Sequence, residues 1–529
     1  MPVVLQEACD ENIIRAGPAA ATCSKTRGRW ILAATILATS MAFIDGTVVN
    51  VALPALQTNL NATAADVQWV IESYALLLSA LLLVGGSLGD HYGRRRVFVL
   101  GVMIFAVASG LCGFAGSIHQ LIAARAIQGI GAALLVPGSL AIISNSFSEQ
   151  ERGRAIGVWS AFSAITTGIG PVLGGWLIEH VSWRAVFFIN LPLAFVVVLI
   201  SLRHVAENSD RETTHVDWLG ASLAALGLGA VVYGLIESPQ VGFNDRSVIV
   251  ALAAGIILLI LFLFLESRLS QPMLPLTLFR SRTFAGTNLL TFLLYAALGG
   301  TLFFLPLNLI QVQGYSPTAA GAALLPFILI MSLLSRWSGG LVARYGPRIP
   351  LIVGPLITAG GYSLFLLPGI GGSYWTNFFP PVVVLGLGMA ITVAPLTTTV
   401  MSSLARDRAG IASGVNNAVA RTASLVAIAV LGVVMIQVFT TNLNRKLTGA
   451  NLPVSVSQSL QDQSIKLAAI DIPQNLNPET RRMIRRAIDD SFVSGFRWVT
   501  AIGAALAAAS ALSALFWIRT TLREQPHFR

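Results

Sequence analysis

The chain has 529 residues, 55% of them hydrophobic and 11% charged, with a mean hydropathy of +0.74. A soluble domain carries about 25% charged residues, so the deficit excludes a soluble enzyme or binding module and indicates a polytopic membrane protein. The formal net charge of +10 is read as basic loops facing an anionic leaflet rather than as a nucleic-acid surface.

A polar tail with Arg15, Lys25, Arg27 and Arg29 comes first. No small-residue cleavage site follows the first apolar run, which therefore reads as a retained helix and not a signal peptide. Runs long enough to span a bilayer are predicted at 30–50, 67–88, 97–117, 121–144, 154–177, 184–203, 217–236, 247–266, 284–310, 318–341, 350–368, 377–400, 410–438 and 494–518. Runs this long and continuous mean helices. The expected fold is an all-α bundle of 14 transmembrane helices. The chain divides into a tail (1–29), a six-helix half (30–203), two further helices with their preceding loop (204–266), helices 9–13 (267–438), a long loop (439–493), and helix 14 with its tail (494–529).

Orientation is read from Lys and Arg. With the N-terminus inside, 21 of the 34 fall in inside segments, while the short outside loops hold only Arg184 and Arg246. Arg125, Arg336 and Arg421 lie within apolar runs, and the rest lie in or beside 439–493, a length exempt from the bias. Both termini are expected in the cytoplasm.

Asp45 sits near mid-depth in helix 1, where a charge costs about 3 kcal/mol on insertion scales. Such a residue suits proton binding; the alternative is a static hydrogen bond to Thr47, Asn50 or the backbone. Glu72 falls early in helix 2, beside Trp69, an interface-belt residue. Its carboxylate either binds protons or cations or simply reaches water. The turn "GSLGDHYGRRR" (86–96) concentrates charge between two oily helices. Its Arg94 and Arg95 resist translocation, Gly86 and Gly89 allow close helix approach, and Gly93 allows a tight turn. In helix 4, Arg125 and Gln128 are three apart and share a face. In helix 5, Gly170 and Gly174 share a face and favour close packing, while Pro171 loosens the backbone ladder. Arg336 is read as snorkelling; Arg421 lies deeper and must face protein or water. "NPETRRMIRRAIDDSF" (477–492) reads as an amphipathic helix on the outer leaflet, capped by Asn477, and as a candidate docking surface for a periplasmic adaptor.

The chain repeats itself. "GGLVARYGPR" (339–348) resembles the first turn, with Gly339 matching Gly86 and Gly346 matching Gly93, and a Leu-Pro pair precedes each copy at Pro54 and Pro306. Basic turns then follow at Arg152 and Arg406. Helices 1–6 therefore correspond to helices 9–14, with helices 7 and 8 inserted between the halves. Parallel halves of this kind are a transporter architecture. The three cysteines (Cys9, Cys23, Cys112) show no metal-ligand spacing, the six histidines form no ligand pair, and no nucleophile elbow or P-loop is present. Neither an enzyme nor an ATP-driven pump is expected.

With these motifs in view, the sequence resembles the major facilitator superfamily, and within it the fourteen-helix drug:proton antiporter branch. "IDGTVVNVALP" (44–54), "GSLGDHYGRRR", "RAIQGIGAALLVP" (125–137) and "GIGPVLGG" (168–175, with Gly170, Pro171, Gly174 and Gly175) carry the resemblance. It implies proton-coupled efflux of amphipathic small molecules by alternating access, without a cofactor and driven by the proton gradient. It also implies that Asp90 latches the halves on the cytoplasmic side in the outward-open state, that helices 1 and 4 line a central cavity where Arg125 partners Asp45, and that helix 5 seals against leak. Ala343 stands where Asp90 stands in the first half, which puts symmetric latching in doubt. Partners are expected to be a small-molecule substrate, protons and membrane lipid, without nucleic acid, and one copy is expected to suffice. The alternatives are export of a specific metabolite, siderophore or lipid, and a transport-inactive membrane sensor.

Overall fold

The computed structural model describes residues 25–208, 217–269, 272–404, 409–448 and 452–518. The tails, Cys9, Cys23, the turn at Arg406 and the side chain of Arg336 lie outside the described residues.

Helices follow the apolar runs but overshoot them. They are α1 (Lys25–Leu60), α2 (Ala64–Tyr92), α3 (Arg94–Phe114), α4 (Ile118–Ser146), α5 (Glu149–His180), α6 (Ala185–His204, interrupted at Ile189), α7 (Trp218–Val241) and α8 (Arg246–Glu266). The second half holds α9 (Arg282–Val312, ending in a π-turn), α10 (Pro317–Ala322 and Leu325–Gly339), α11 (Arg348–Leu364), α12 (Phe379–Ser402), α13 (Ala409–Thr448) and α14 (Pro478–Trp517). Thirteen of them are long and apolar enough to cross a membrane among the described residues; α11, at 17 residues, occupies the remaining place in the bundle. Local chemistry sets several starts. Thr63 and Asp66 form a reciprocal capping box at α2, and Ser117, Asp245 and Ser281 cap α4, α8 and α9.

The repeat is visible in the packing. In the first half α2 and α3 pack on α4, α5 and α6 on α1, and α6 on α3. In the second half α10 and α11 pack on α12, α13 and α14 on α9, and α14 on α11. Each of these five pairs has its counterpart eight helices later. The two matched turns also share a backbone, with Gly93 at φ 108° and Gly346 at φ 73°, a region that favours glycine. Between halves the contacts pair α2 with α13, α5 with α10 and α1 with α9. The inserted α7 leans on α2 and α13 through Val232, Ile236, Leu425 and Ala429. α8 holds to α7 by close approaches at Gly227, Gly234 and Gly255 and otherwise presents Ile249, Ile256, Ile260 and Phe264 outward.

Two expectations are corrected. Residues 439–493 do not form one long loop: α13 continues to Thr448, α14 begins at Pro478, and Val454–Asp462 is a short helix between them. Polar composition hid helix that hydropathy cannot see. Nor does 477–492 lie on a leaflet. Asn477 caps as expected, but the segment is the first part of α14, and Ile484, Ile488 and Phe492 are buried in the protein. The face that suggested an adaptor surface is therefore already occupied.

Candidate functional site

Asp45 is fully buried in the middle of α1. The Arg125 guanidinium of α4 pairs with it through Nη1. Gln128 Nε2 donates to the other carboxylate oxygen at 2.9 Å, and Asn190 Nδ2, from the start of the main segment of α6, lies 3.4 Å from that oxygen. Arg125 Nη1 also donates to Gln128 Oε1 at 2.8 Å, and its Nε to the Val70 carbonyl of α2 at 3.1 Å. The guanidinium stacks on the Tyr74 ring, 4.2 Å from its centre. Asn190 donates in turn to Ser109 Oγ of α3 at 3.0 Å, and Ser109 Oγ donates to the Phe187 carbonyl at 2.8 Å. The expected partnership of Asp45, Arg125 and Gln128 is thus present. A hydrogen bond to Thr47 does not account for Asp45, because Thr47 Oγ1 donates to the carbonyls of Phe43 and Ile44. The helix 4 pair, Arg125 and Gln128, was legible from its i, i+3 spacing. Asn190, Ser109 and Tyr74 were missed; an asparagine inside the apolar run "VFFINLPLAF" was the available signal.

A cavity of about 680 Å³ lies between the halves. Arg125 and Tyr74 reach its wall, while Asp45 sits behind them. Tyr295, Thr397, Asn416 and Arg421 form part of the opposite wall, and Phe43, Ile71, Leu78 and Leu396 add apolar surface. At one end of the bundle the halves touch. Gln311 Nε2 donates to Gln57 Oε1 at 2.7 Å, Gln68 reaches the Ile428 carbonyl at 3.4 Å, and Thr318 donates to Glu179. The cavity extends toward the other end, along Trp159 and Ser160 of α5 and Met401 and Ser413 of α12 and α13.

The helix 5 glycines build the closed end. A Cβ on Gly170 would stand 2.2 Å from Thr47 Oγ1, and one on Gly174 would stand 2.0 Å from a Val48 methyl, so both press on α1. A Cβ on Gly175 would stand 2.3 Å from the Pro317 carbonyl oxygen, and one on Gly321 would stand 2.1 Å from the Pro171 carbonyl oxygen, so the next face presses on α10 of the other half. One motif packs a helix within its half and across the seam. α5 stays helical through Pro171.

The arginine-rich turn is held within the first half. Among the described residues Asp90 pairs with Arg94 of its own half, at 2.7 Å, and not with the second half. Glu207, beyond α6, accepts from the Arg95 backbone N–H at 3.1 Å and pairs with the Arg95 and Arg96 side chains at 3.5 and 3.6 Å, an anion at the start of α3. Gly93 is required twice, by its φ and because a Cβ there would stand 2.5 Å from Glu207. Gly86 and Gly89 are not the points of close approach. Their nearest neighbours would be 3.8 and 4.0 Å from a Cβ, whereas a Cβ on Gly85 would stand 2.0 Å from the Ala133 carbonyl oxygen of α4.

Glu72 does not reach water. It is fully buried on α2, one turn from Gln68, and neither carboxyl oxygen has a hydrogen-bond partner among the described residues. Trp69 is not a lipid-facing belt residue either; it donates to Glu237 of α7 at 3.3 Å and packs against Tyr233. The inserted helix covers what the sequence alone left at the bilayer surface.

The family model described as Major Facilitator Superfamily matches residues 35–429. The chain belongs to that superfamily. This major facilitator is a multi-pass membrane transporter, not an enzyme. It is 36% identical to the "Multidrug resistance protein Stp" of Mycobacterium tuberculosis over 76% of this chain and 75% of the relative. It is 33% identical to the "Tetracenomycin C resistance and export protein" of Streptomyces glaucescens over 94% of each chain. Among solved structures, a bacterial homologue of the human lysosomal transporter Spinster superposes with a TM-score of 0.65 at 18% identity, covering 93% of this chain and 98% of that one. The nucleoside transporter NupG superposes with a TM-score of 0.57 at 13% identity, covering 93% and 100%. These structures share the fold.

Proposed function

We propose that this transporter exports amphipathic small molecules across the cytoplasmic membrane in exchange for protons, by alternating access, as a monomer and without a cofactor. The observation that carries the reading is the buried Asp45–Arg125–Gln128 cluster, with Arg125 on the cavity wall and Asp45 behind it. The relatives named for multidrug resistance and for tetracenomycin C export support the cargo class. Positive-inside orientation makes the open end cytoplasmic, so the described state is inward-open.

In this state ionised Asp45 holds Arg125 away from free rotation by an ion pair in a low-dielectric site. A proton on Asp45 cancels the pair and releases Arg125, Gln128 and Asn190 from a common acceptor. Five helices (α1, α2, α3, α4 and α6) meet at this cluster, so its two arrangements bias the first half as a body. Asp90, paired within its own half while the cytoplasmic ends are apart, becomes available to the second half when they close. Glu72, buried at the contact of α2 with α13 and α7, is the second candidate for the proton.

The test is proton movement in proteoliposomes on adding a panel of dyes and drugs, wild type against Asp45→Asn. Movement in the wild type and its loss in the variant are expected. Movement retained in the variant shifts the proton to Glu72. Absence of movement with every compound overturns proton-coupled drug export while leaving the fold in place.

A further inference from the structure

The cavity holds two cations and, among its described lining residues, no acid. Arg125 is neutralised by Asp45. Arg421 is not. It lines the cavity from α13, in the half opposite Arg125, with Tyr74 and Tyr295 lining the same cavity. No carboxylate or other hydrogen-bond acceptor is paired with it among the described residues. The nearby polar side chains carry no negative charge. Asn416 donates to Asn288 and Thr291 of α9, at 3.2 and 2.7 Å, and Ser424 donates to the Tyr295 carbonyl at 3.2 Å. A guanidinium lining a half-apolar cavity without a counter-ion is an unfilled anion site.

We infer that the substrate is an amphipathic organic acid whose anionic group docks on Arg421 while its apolar body lies against Phe43, Ile71 and Leu396. This rests on the exporter reading and adds the charge of the cargo. It also fixes the electrical balance of the cycle. Moving one monoanion out and one proton in transfers two positive charge equivalents inward, so both the membrane potential and the pH gradient drive export. A monocation exchanged for one proton would transfer none.

The experiment uses the full chain and two xanthene dyes, a fluorescein-type carboxylate anion and a rhodamine-type ester cation. Binding is titrated by fluorescence anisotropy in phosphatidylcholine nanodiscs for wild type, Arg421→Gln and Arg421→Lys. Transport is followed in proteoliposomes at clamped potentials. The anion is expected to bind wild type more tightly than the cation, at least about 10-fold more weakly to Arg421→Gln, and with intermediate affinity to Arg421→Lys. Anion export is expected to accelerate with inside-negative potential. Equal or tighter binding of the cation, or unchanged anion affinity in Arg421→Gln with the variant folded, overturns the inference. If phosphatidylglycerol in the nanodisc displaces the dye through Arg421, the anion is a lipid headgroup and the organic-acid assignment falls. Arginine-dependent anion binding without any proton movement would sustain the inference and remove the proton-exchange reading instead.

Discussion

The two halves share their main helix pairings and differ in their chemistry. Asp45 stands nine residues before Pro54; nine residues before the matching Pro306 stands Ala297, buried and apolar. The first half therefore holds a satisfied ion pair where the second holds packing. On the other side of the cavity the second half offers Arg421 without a carboxylate, beside the Asn416–Asn288–Thr291 hydrogen bonds. Duplication supplied two equivalent scaffolds, and each keeps a different charge: one internal and compensated, one facing the cavity. Packing constrains a repeat everywhere, while charge is needed only once per cycle.

The contrast can be broken most forcefully at Arg125. Arg125→Ala leaves Asp45 buried without its cation, which is expected to cost about 3–5 kcal/mol and to lower the thermal midpoint of the purified protein along with abolishing proton-driven transport. A smaller effect is expected at the small-residue contacts. Gly85→Ala drives a methyl into the Ala133 carbonyl and Gly175→Ala drives one into the Pro317 carbonyl, each at about 1–3 kcal/mol. Gly175→Ala crosses the seam, so it should slow transport more than Gly85→Ala at equal loss of midpoint; equal slowing would deny the seam a special role. Asn416→Ala removes neutral hydrogen bonds from the second half and is expected to cost about 1 kcal/mol. A loss as large as that of Arg125→Ala would mean that the halves are not chemically unequal. Gly86→Ala, which has room, should change the stability by no more than about 0.5 kcal/mol, and a clear loss there would contradict the assignment of close approach to Gly85.

Much of this was legible. Hydropathy located the helices, the repeat gave the halves, and mid-membrane charge singled out Asp45, Arg125 and Arg421, because an ion in lipid is expensive wherever the fold places it. Other parts needed three dimensions. Gly85 and Gly86 are neighbours in sequence, and only the approach of α4 decides which of them is crowded. Glu207 sits in a polar stretch where one acid looks like any other, and its value comes from the start of α3 lying beside it. Asp90 was placed across the halves by resemblance, but pairs locally in this state. The extension of α13 and α14 escaped because a helix packed on protein does not need an oily sequence all round.

That extension has a mechanical consequence. At about 1.5 Å per residue, α13 and α14 (40 residues each) run about 60 Å, about twice the hydrocarbon core. The excess stands beyond the closed end and is crowned by residues 464–469, where Lys466 grips Asn61 of the first half at 2.9 Å. Two rods fixed in one half act as a lever arm. A tilt of about 10° at the bilayer centre would swing a tip about 45 Å away through about 8 Å, enough to tear that grip. The crown thus reports the angle between the halves at its greatest magnification.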